Sequence, residues 1–329
     1  MLNPKLKLNP QLFTDSVEQA PTRKGFGQGL ALAGDADENV VALCADLTES
    51  VQMHLFKEKF PARFVQVGVA EQNLVTVASG MAAMGKIPFI ASYAMFSPGR
   101  NWEQIRTTIA INNVPVKVCG MHAGLQTGPD GATHQALEDL ALMRSLPRFI
   151  VISPCDAEEG RKATIEAAKT GTPVYLRFAR EKMPVMTTAE TPFTIGKAEI
   201  FWQGKNPKAT IFATGSVLWN ALVAARDLEK EGIDSIVVNV HTLKPLDKET
   251  IVSTASKTGA VVTVEEHQIH GGLGGAIAEL LAKERPTPME FVGVEDRFGQ
   301  SGTANELIEH YGLGPSSIIK AVKKVLARK

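Results

Sequence analysis

The chain has 329 residues, 44% of them hydrophobic and 21% charged, and its 35 Lys and Arg balance 35 Asp and Glu. That length suits two domains with a large buried core. Zero net charge argues against broad electrostatic binding to nucleic acid or to an anionic membrane. Cys44, Cys119 and Cys155 lie far apart and form no C-x-x-C, which argues against a disulfide framework or a structural zinc site. No apolar run approaches the roughly 18 residues of a membrane span. Met1–Pro10 holds two prolines and no apolar core, so it does not read as a signal peptide. The expectation is a cytoplasmic protein.

Short apolar runs alternate with helical patterns. Strands are expected at Val40–Ala45, Phe64–Val67, Lys86–Ala91, Val114–Val118, Phe149–Ile152 and Pro173–Phe178. Helices are expected where Leu74, Val75, Val77, Ala78, Met81 and Ala82 recur, over Arg106–Ile111, and over Ala157–Lys169. Pattern lapses from Glu181 to Pro192, a Thr- and Pro-bearing stretch that reads as an inter-domain linker. A second alternation follows: strands at Thr210–Ala213, Ile236–Val240, Val261–Val264 and Phe291–Val294, with helices at Leu218–Leu228 and Ser316–Leu326. The fold class is therefore α/β, with two domains over residues 1–190 and 191–329, each a mostly parallel sheet flanked by helices.

Several chemistry-bearing motifs are missing. There is no G-x-x-x-x-G-K-[ST], no H-E-x-x-H and no His/Cys cluster for a metal, and Ser216 lacks a G-x-S-x-G elbow. Gly271–Ala276 follows a strand and opens a helix, but Ile277 stands where a dinucleotide turn needs a small residue. A tight turn with close backbone packing fits it better.

Two stretches are informative. In Gly68-Val69-Ala70-Glu71-Gln72-Asn73 a carboxyl group sits where a strand ends and an apolar helix begins. Glu71 is either a helix N-terminal residue favoured by the dipole or a carboxyl group facing an apolar cleft. His122–Gln135 packs two histidines and Asp130 into a Gly-rich loop after a strand, where α/β sheets bind ligands. The same loop also carries the turn signal Pro129-Asp130-Gly131.

At these residues the chain resembles the C-terminal two-thirds of a transketolase. Gly68-Val69-Ala70-Glu71 is similar to the family's G-[IV]-R-E-H, and His122–His134 to H-D-x-I-G-x-G-E-D-G-P-T-H. Thr22-Arg23-Lys24, Ala45–Ser50 and Arg180–Pro184 resemble T-R-K, S-A-D-L-T-x-S and R-Q-x-x-P, all in the family's order. Residues 196–329 resemble the family's last domain, including His241–Asp247 and the Gly271–Gly275 turn. The family's G-D-G…N motif, which holds a divalent ion and the cofactor diphosphate, has no counterpart here. The resemblance thus implies a pyrimidine-binding domain plus a C-terminal domain, as one subunit of a split transketolase.

What the resemblance implies for chemistry follows residue by residue. Thiamine diphosphate would lie between this chain and an N-terminal transketolase subunit that holds Mg2+ or Ca2+, in a dimer of heterodimers. Glu71 would bond a pyrimidine nitrogen and favour the imino tautomer. Tyr93 and Phe96 would stack on that ring, and Asp46 would lie near the cofactor at the subunit interface. His134 and Asp130 would bind substrate hydroxyls, with His134 also in a catalytic role. Arg23, Ser50, His122 and Arg180 would bind the phosphate of a phosphorylated sugar. The reaction would be reversible transfer of a two-carbon ketol unit from ketose phosphate to aldose phosphate, in the pentose phosphate pathway of carbohydrate metabolism.

The sequence departs from the pattern at Gly99, where the family has a third aromatic. It departs also at Ala70 and Gln72 around Glu71, and at Ala132 in place of Pro. Rival readings are a 1-deoxyxylulose-5-phosphate synthase-like chain, the beta subunit of a 2-oxo-acid dehydrogenase, and a non-catalytic regulatory or scaffold subunit. The phosphate-binding set favours transketolase over the dehydrogenase. Retained Glu71, His134 and Asp130 argue against a scaffold.

Overall fold

A computed structural model describes the whole chain, Met1 to Lys329. The first part contains β1 (Gln19–Ala20), α1 (Thr22–Ala36), β2 (Val40–Cys44), α2 (His54–Lys59), β3 (Phe64–Gln66), α3 (Glu71–Ala83) and β4 (Ile87–Tyr93). It continues through α4 (Trp102–Gln104), β5 (Lys117–Met121), α5 (Asp139–Ser145), β6 (Ile150–Ile152), α6 (Ala157–Ala168), β7 (Val174–Arg177) and β8 (Met183–Pro184). The second part contains β9 (Glu199–Gln203), β10 (Ala209–Ala213), α7 (Leu218–Lys230), β11 (Ser235–Asn239), β12 (Thr242–Lys244) and α8 (Lys248–Thr258). It closes with β13 (Val261–Gln268), α9 (Leu273–Glu284), β14 (Met289–Val294), α10 (Ala304–His310) and α11 (Pro315–Leu326).

Two mostly parallel sheets result. The first has seven strands in the order β12-β6-β7-β5-β4-β2-β3, the second five in the order β14-β13-β10-β11-β9. Only β12 and β9, at sheet edges, run antiparallel to their neighbours. The central strands β2, β5, β7, β10 and β11 are buried at every position, as parallel strands covered on both faces are. α1 packs on α6 so closely that a Cβ at Gly25 would lie 1.8 Å from the Ala157 carbonyl oxygen, so this contact admits only glycine.

The structure departs from the sequence reading in four places. Arg106–Ile111 is mostly a π-helical turn, Ile105–Ala110. The strand expected from Val114 starts at Lys117, two residues after Pro115, which has no N–H to give to a ladder. The stretch from Glu181 to Pro192 is packed rather than loose. β8 pairs with β1, and buried Asp156 accepts hydrogen bonds from the backbone of Met186 and Thr187 and from the Thr187 hydroxyl. Finally, β12 leaves the second part of the chain to pair with β6 of the first sheet. The N-terminal Leu6 and Leu12 in turn join the core under the second sheet.

β3, β2, β4, β5 and β7 are consecutive neighbours in the first sheet, and all are parallel. Their carboxyl ends therefore lie in a row. Each ends at or just before a candidate site residue: Glu71 after β3, Asp46 and Ser50 after β2, Tyr93 ending β4 with Phe96 after it, the His122–His134 loop after β5, and Arg180 after β7.

Candidate active site

Glu71 is the first residue of α3 and is buried. It starts the helix, as the first reading has it, and its side chain lies inside the protein. The burial of Leu74, Val75, Ala78 and Ala82 on one face of α3 seats the helix and carries Glu71 inward. Ser92 Oγ donates to Glu71 Oε1 at 3.3 Å, and Asn101 Nδ2 donates to the Glu71 carbonyl at 2.9 Å.

Tyr93 and Phe96 stack with ring centroids 6.0 Å apart and planes 19° from parallel. His134 stands edge-on to both, at 6.2 and 5.3 Å. Thr133 Oγ1 lies 2.9 Å from His134 Nδ1, which leaves Nε2 for another partner. The His122 ring packs on Tyr93, with ring centroids 4.1 Å apart.

Ser50 Oγ lies 2.9 Å from Tyr93 Oη and 3.4 Å from His122 Nε2. Arg23, in the first turn of α1, donates to the Ser50 carbonyl at 2.6 Å. Arg180 donates to the Thr127 carbonyl at 2.5 Å and reaches Asp130 Oδ2 at 3.5 Å. Burial and the nearby Arg180 push the Arg23 pKa down. Burial first, then Arg23, Arg180 and His134, lower His122 to about 3, so its ring is neutral. Arg23 Nε and His122 Nδ1 are buried with no hydrogen-bond partner. Two guanidinium groups close enough to oppose each other, beside a buried Arg23 N–H with nothing to bond, suit an anion.

The structure thus joins Arg23, Ser50, Tyr93, Phe96, His122, Asp130, His134 and Arg180 into one mouth, with Glu71 held from β4 beside it. Asp46 stands apart. It is exposed, has φ of +60°, and its only hydrogen bond is from its backbone N–H to Gln66 Oε1. At Gly99 a Cβ would lie 2.0 Å from the Met95 carbonyl oxygen, so this backbone has no room for the third aromatic.

Sequence reasoning missed how the second domain holds the loop. Buried Glu266 accepts from the Gln126 N–H at 2.7 Å, from Gln126 Nε2 at 3.0 Å and from Ser216 Oγ at 2.9 Å. Arg177 bonds both Asp139, at 2.8 Å, and the Glu266 carbonyl, at 2.9 Å. Gln135 Nε2 reaches the Gln300 carbonyl at 3.0 Å. The signal was present in Val261–His267, where two carboxylates continue an apolar strand that stays buried. Glu265 accepts from the N–H groups of Leu273 and Gly274, so the Gly271–Gly275 turn already has its anion.

A cavity of about 540 Å³ lies behind the loop, lined by Phe13, Gln126, Lys182, Ser216, Trp219 and Asn305 among others. It shares no lining residue with the mouth described above. The three cysteines are buried free thiols. No group of three or more His, Cys, Asp or Glu side chains is placed to hold a metal ion, and no helix is long and apolar enough to cross a membrane.

A buried carboxyl group, an aromatic pair and an imidazole suit a flat heteroaromatic ring, and the two arginines suit an anion beyond it. Comparison with known proteins gives the family. Residues 18–186 match the family described as transketolase, pyrimidine binding domain, and residues 196–318 match transketolase, C-terminal domain. A putative transketolase C-terminal section from Methanocaldococcus jannaschii is 41% identical, covering 93% of this chain and 96% of that protein. The 6-deoxy-6-sulfo-D-fructose transketolase subunit SqwH from Clostridium sp. (strain MSTE9) is 40% identical over 97% of this chain and 98% of its own. A solved split gene transketolase, described as an inactive beta4 tetramer, superposes with a TM-score of 0.87 at 43% identity, covering 93% of this chain and 98% of that one. The chain belongs to the transketolase family and carries its pyrimidine-binding and C-terminal domains.

Proposed function

We propose that the chain is the C-terminal subunit of a split transketolase, acting in the cytoplasm on phosphorylated sugars. It would transfer a two-carbon ketol unit reversibly from a ketose phosphate to an aldose phosphate. The observation that carries this reading is the pairing of a buried carboxyl group, Glu71, with the Arg23–Ser50–His122–Arg180 cluster at one row of strand ends. A 2-oxo-acid dehydrogenase subunit, acting on unphosphorylated acids, has no use for such a cluster.

Thiamine diphosphate, when bound, supplies the nucleophilic carbon that takes up and releases the two-carbon unit. Glu71, fixed by Ser92 and by the start of α3, holds a proton against a nitrogen of the aminopyrimidine. Tyr93 and Phe96 cover that ring and exclude water. His134 and Asp130 bind substrate hydroxyls near the reacting carbons. Arg23 and Arg180 supply charge to the sugar phosphate, while Ser50 and neutral His122 supply directed hydrogen bonds.

The chain's own residues account for only part of the cofactor. A separate N-terminal subunit would hold the diphosphate through Mg2+ or Ca2+ and close the open mouth, in a dimer of heterodimers. Exposed Asp46 fits a residue that faces that second polypeptide. The relative described as an inactive beta4 tetramer supports dependence on a partner. Purified chain mixed with xylulose 5-phosphate, ribose 5-phosphate and thiamine diphosphate should be inactive alone and active once the diphosphate-binding subunit is added. Turnover without that subunit would refute the split site.

A further inference from the structure

Asn101 is wholly buried on the turn that follows the aromatic pair. Its Nδ2 donates to the Glu71 carbonyl at 2.9 Å and to Ser97 Oγ at 3.1 Å. Ser97 is also wholly buried, adjoins Phe96, and bonds through its N–H to the Tyr93 carbonyl at 2.8 Å. One carboxamide therefore ties the first residue of α3 to the turn that carries Phe96 and that is bonded back to Tyr93 at the end of β4. Its Oδ1 is buried with no partner. The amide cannot be turned over, because Oδ1 would then face the Glu71 carbonyl, a second acceptor. A buried unpaired oxygen is unfavourable, and an apolar side chain would fill the space without that loss. What this position retains is the pair of donors. Gly99 places no side chain between Phe96 and Asn101 that could do the same work.

We propose that Asn101, seated by Ser97, is the positioning residue that fixes Glu71 relative to Tyr93 and Phe96. This rests on Glu71 acting on the cofactor pyrimidine. Asn101 works through Glu71 and needs no contact with sugar or cofactor. Misplacing a reacting group by about 1 Å costs on the order of 100-fold in rate, so loss of the strut should be felt in kcat and not in sugar binding.

The test uses the complex with the diphosphate-binding subunit and four variants: Asn101→Ala, Ser97→Ala, Glu71→Ala and the double variant Glu71→Ala with Asn101→Ala. The readouts are kcat, the KM for ketose phosphate, melting temperature, and the near-ultraviolet circular dichroism of bound thiamine diphosphate. Asn101→Ala should lower kcat roughly 10- to 100-fold and weaken the cofactor's dichroism, with the sugar KM unchanged. Ser97→Ala should shift both in the same direction by a smaller factor, and it carries the test if Asn101→Ala does not fold. The double variant should be no slower than Glu71→Ala alone, because residues that act as a unit are not additive. Wild-type kcat and dichroism in Asn101→Ala, whatever its melting temperature, would overturn the proposal, as would a fully multiplicative loss in the double variant. Wild-type turnover in Glu71→Ala would instead sink the reading of Glu71 itself.

Discussion

The Tyr93 hydroxyl lies 2.9 Å from Ser50 Oγ. This bond joins the aromatic pair to the cluster proposed to bind an anion, two groups that the sequence reading kept apart. Tyr93 thus has a ring beside Phe96 and a polar tip among Arg23, Ser50 and His122.

Tyr93→Phe separates those two roles. The ring remains, and the hydroxyl's bond to Ser50 is lost. A neutral hydrogen bond contributes about 1 kcal/mol, or roughly 5-fold in an equilibrium constant. The KM for a phosphorylated sugar should rise by about that factor with thiamine diphosphate affinity unchanged. Steady-state kinetics and cofactor titration check this. A loss of cofactor affinity alone would place the hydroxyl in the cofactor site instead.

Arg180→Ala removes one of two guanidinium groups at the anion site. Hydrogen bonds to charged groups contribute about 1.5–3 kcal/mol, so the KM for phosphorylated sugars should rise roughly 10- to 100-fold, with kcat little changed. Sugars without phosphate should respond the same way to both enzymes. Equal losses for both kinds of sugar would move the anion site away from Arg180.

Acid should destabilise the chain through two buried neutral histidines. Burial, with help from the nearby cations, lowers His122 from 6.5 to about 3, and burial lowers His241 to about 3 although Asp247 opposes it. The unfolded chain takes up these protons near pH 6.5, while the folded chain resists until about pH 3. Stability contributed by the neutral rings is therefore complete above pH 6.5 and falls as pH drops through that window. Each ring sets a limiting slope of about 1.4 kcal/mol per pH unit. Urea unfolding of His122→Gln and His241→Gln should each show a shallower acid limb than the unchanged chain. An identical limb in both would mean that the rings are charged in the folded state.

Much of the fold was legible because parallel strands covered on both faces are continuous apolar runs. Val40–Cys44 and Ser235–Asn239 are buried at every position, and the runs Val40–Ala45 and Ile236–Val240 marked them to within a residue at each end. Edge strands lack that signal. β9 and β12 carry exposed or polar positions, and nothing local marks β12 as a member of the other sheet. The proposed site set stood out in the sequence because Glu71, His122, Asp130 and His134 are chemistry-bearing side chains in turns and loops after strands. Its supports did not. Ser92, Asn101 and Glu266 reach the site across 21, 30 and 140 positions of sequence, and only folding brings them there.

The most direct test replaces one atom. Glu71→Gln keeps the size and shape of the side chain while removing its capacity to hold and exchange a proton. In the complex with the diphosphate-binding subunit, the variant should bind thiamine diphosphate, melt within a few degrees of the unchanged complex, and lose on the order of 100-fold or more in ketol-transfer kcat. Full turnover by Glu71→Gln in that complex would contradict the account.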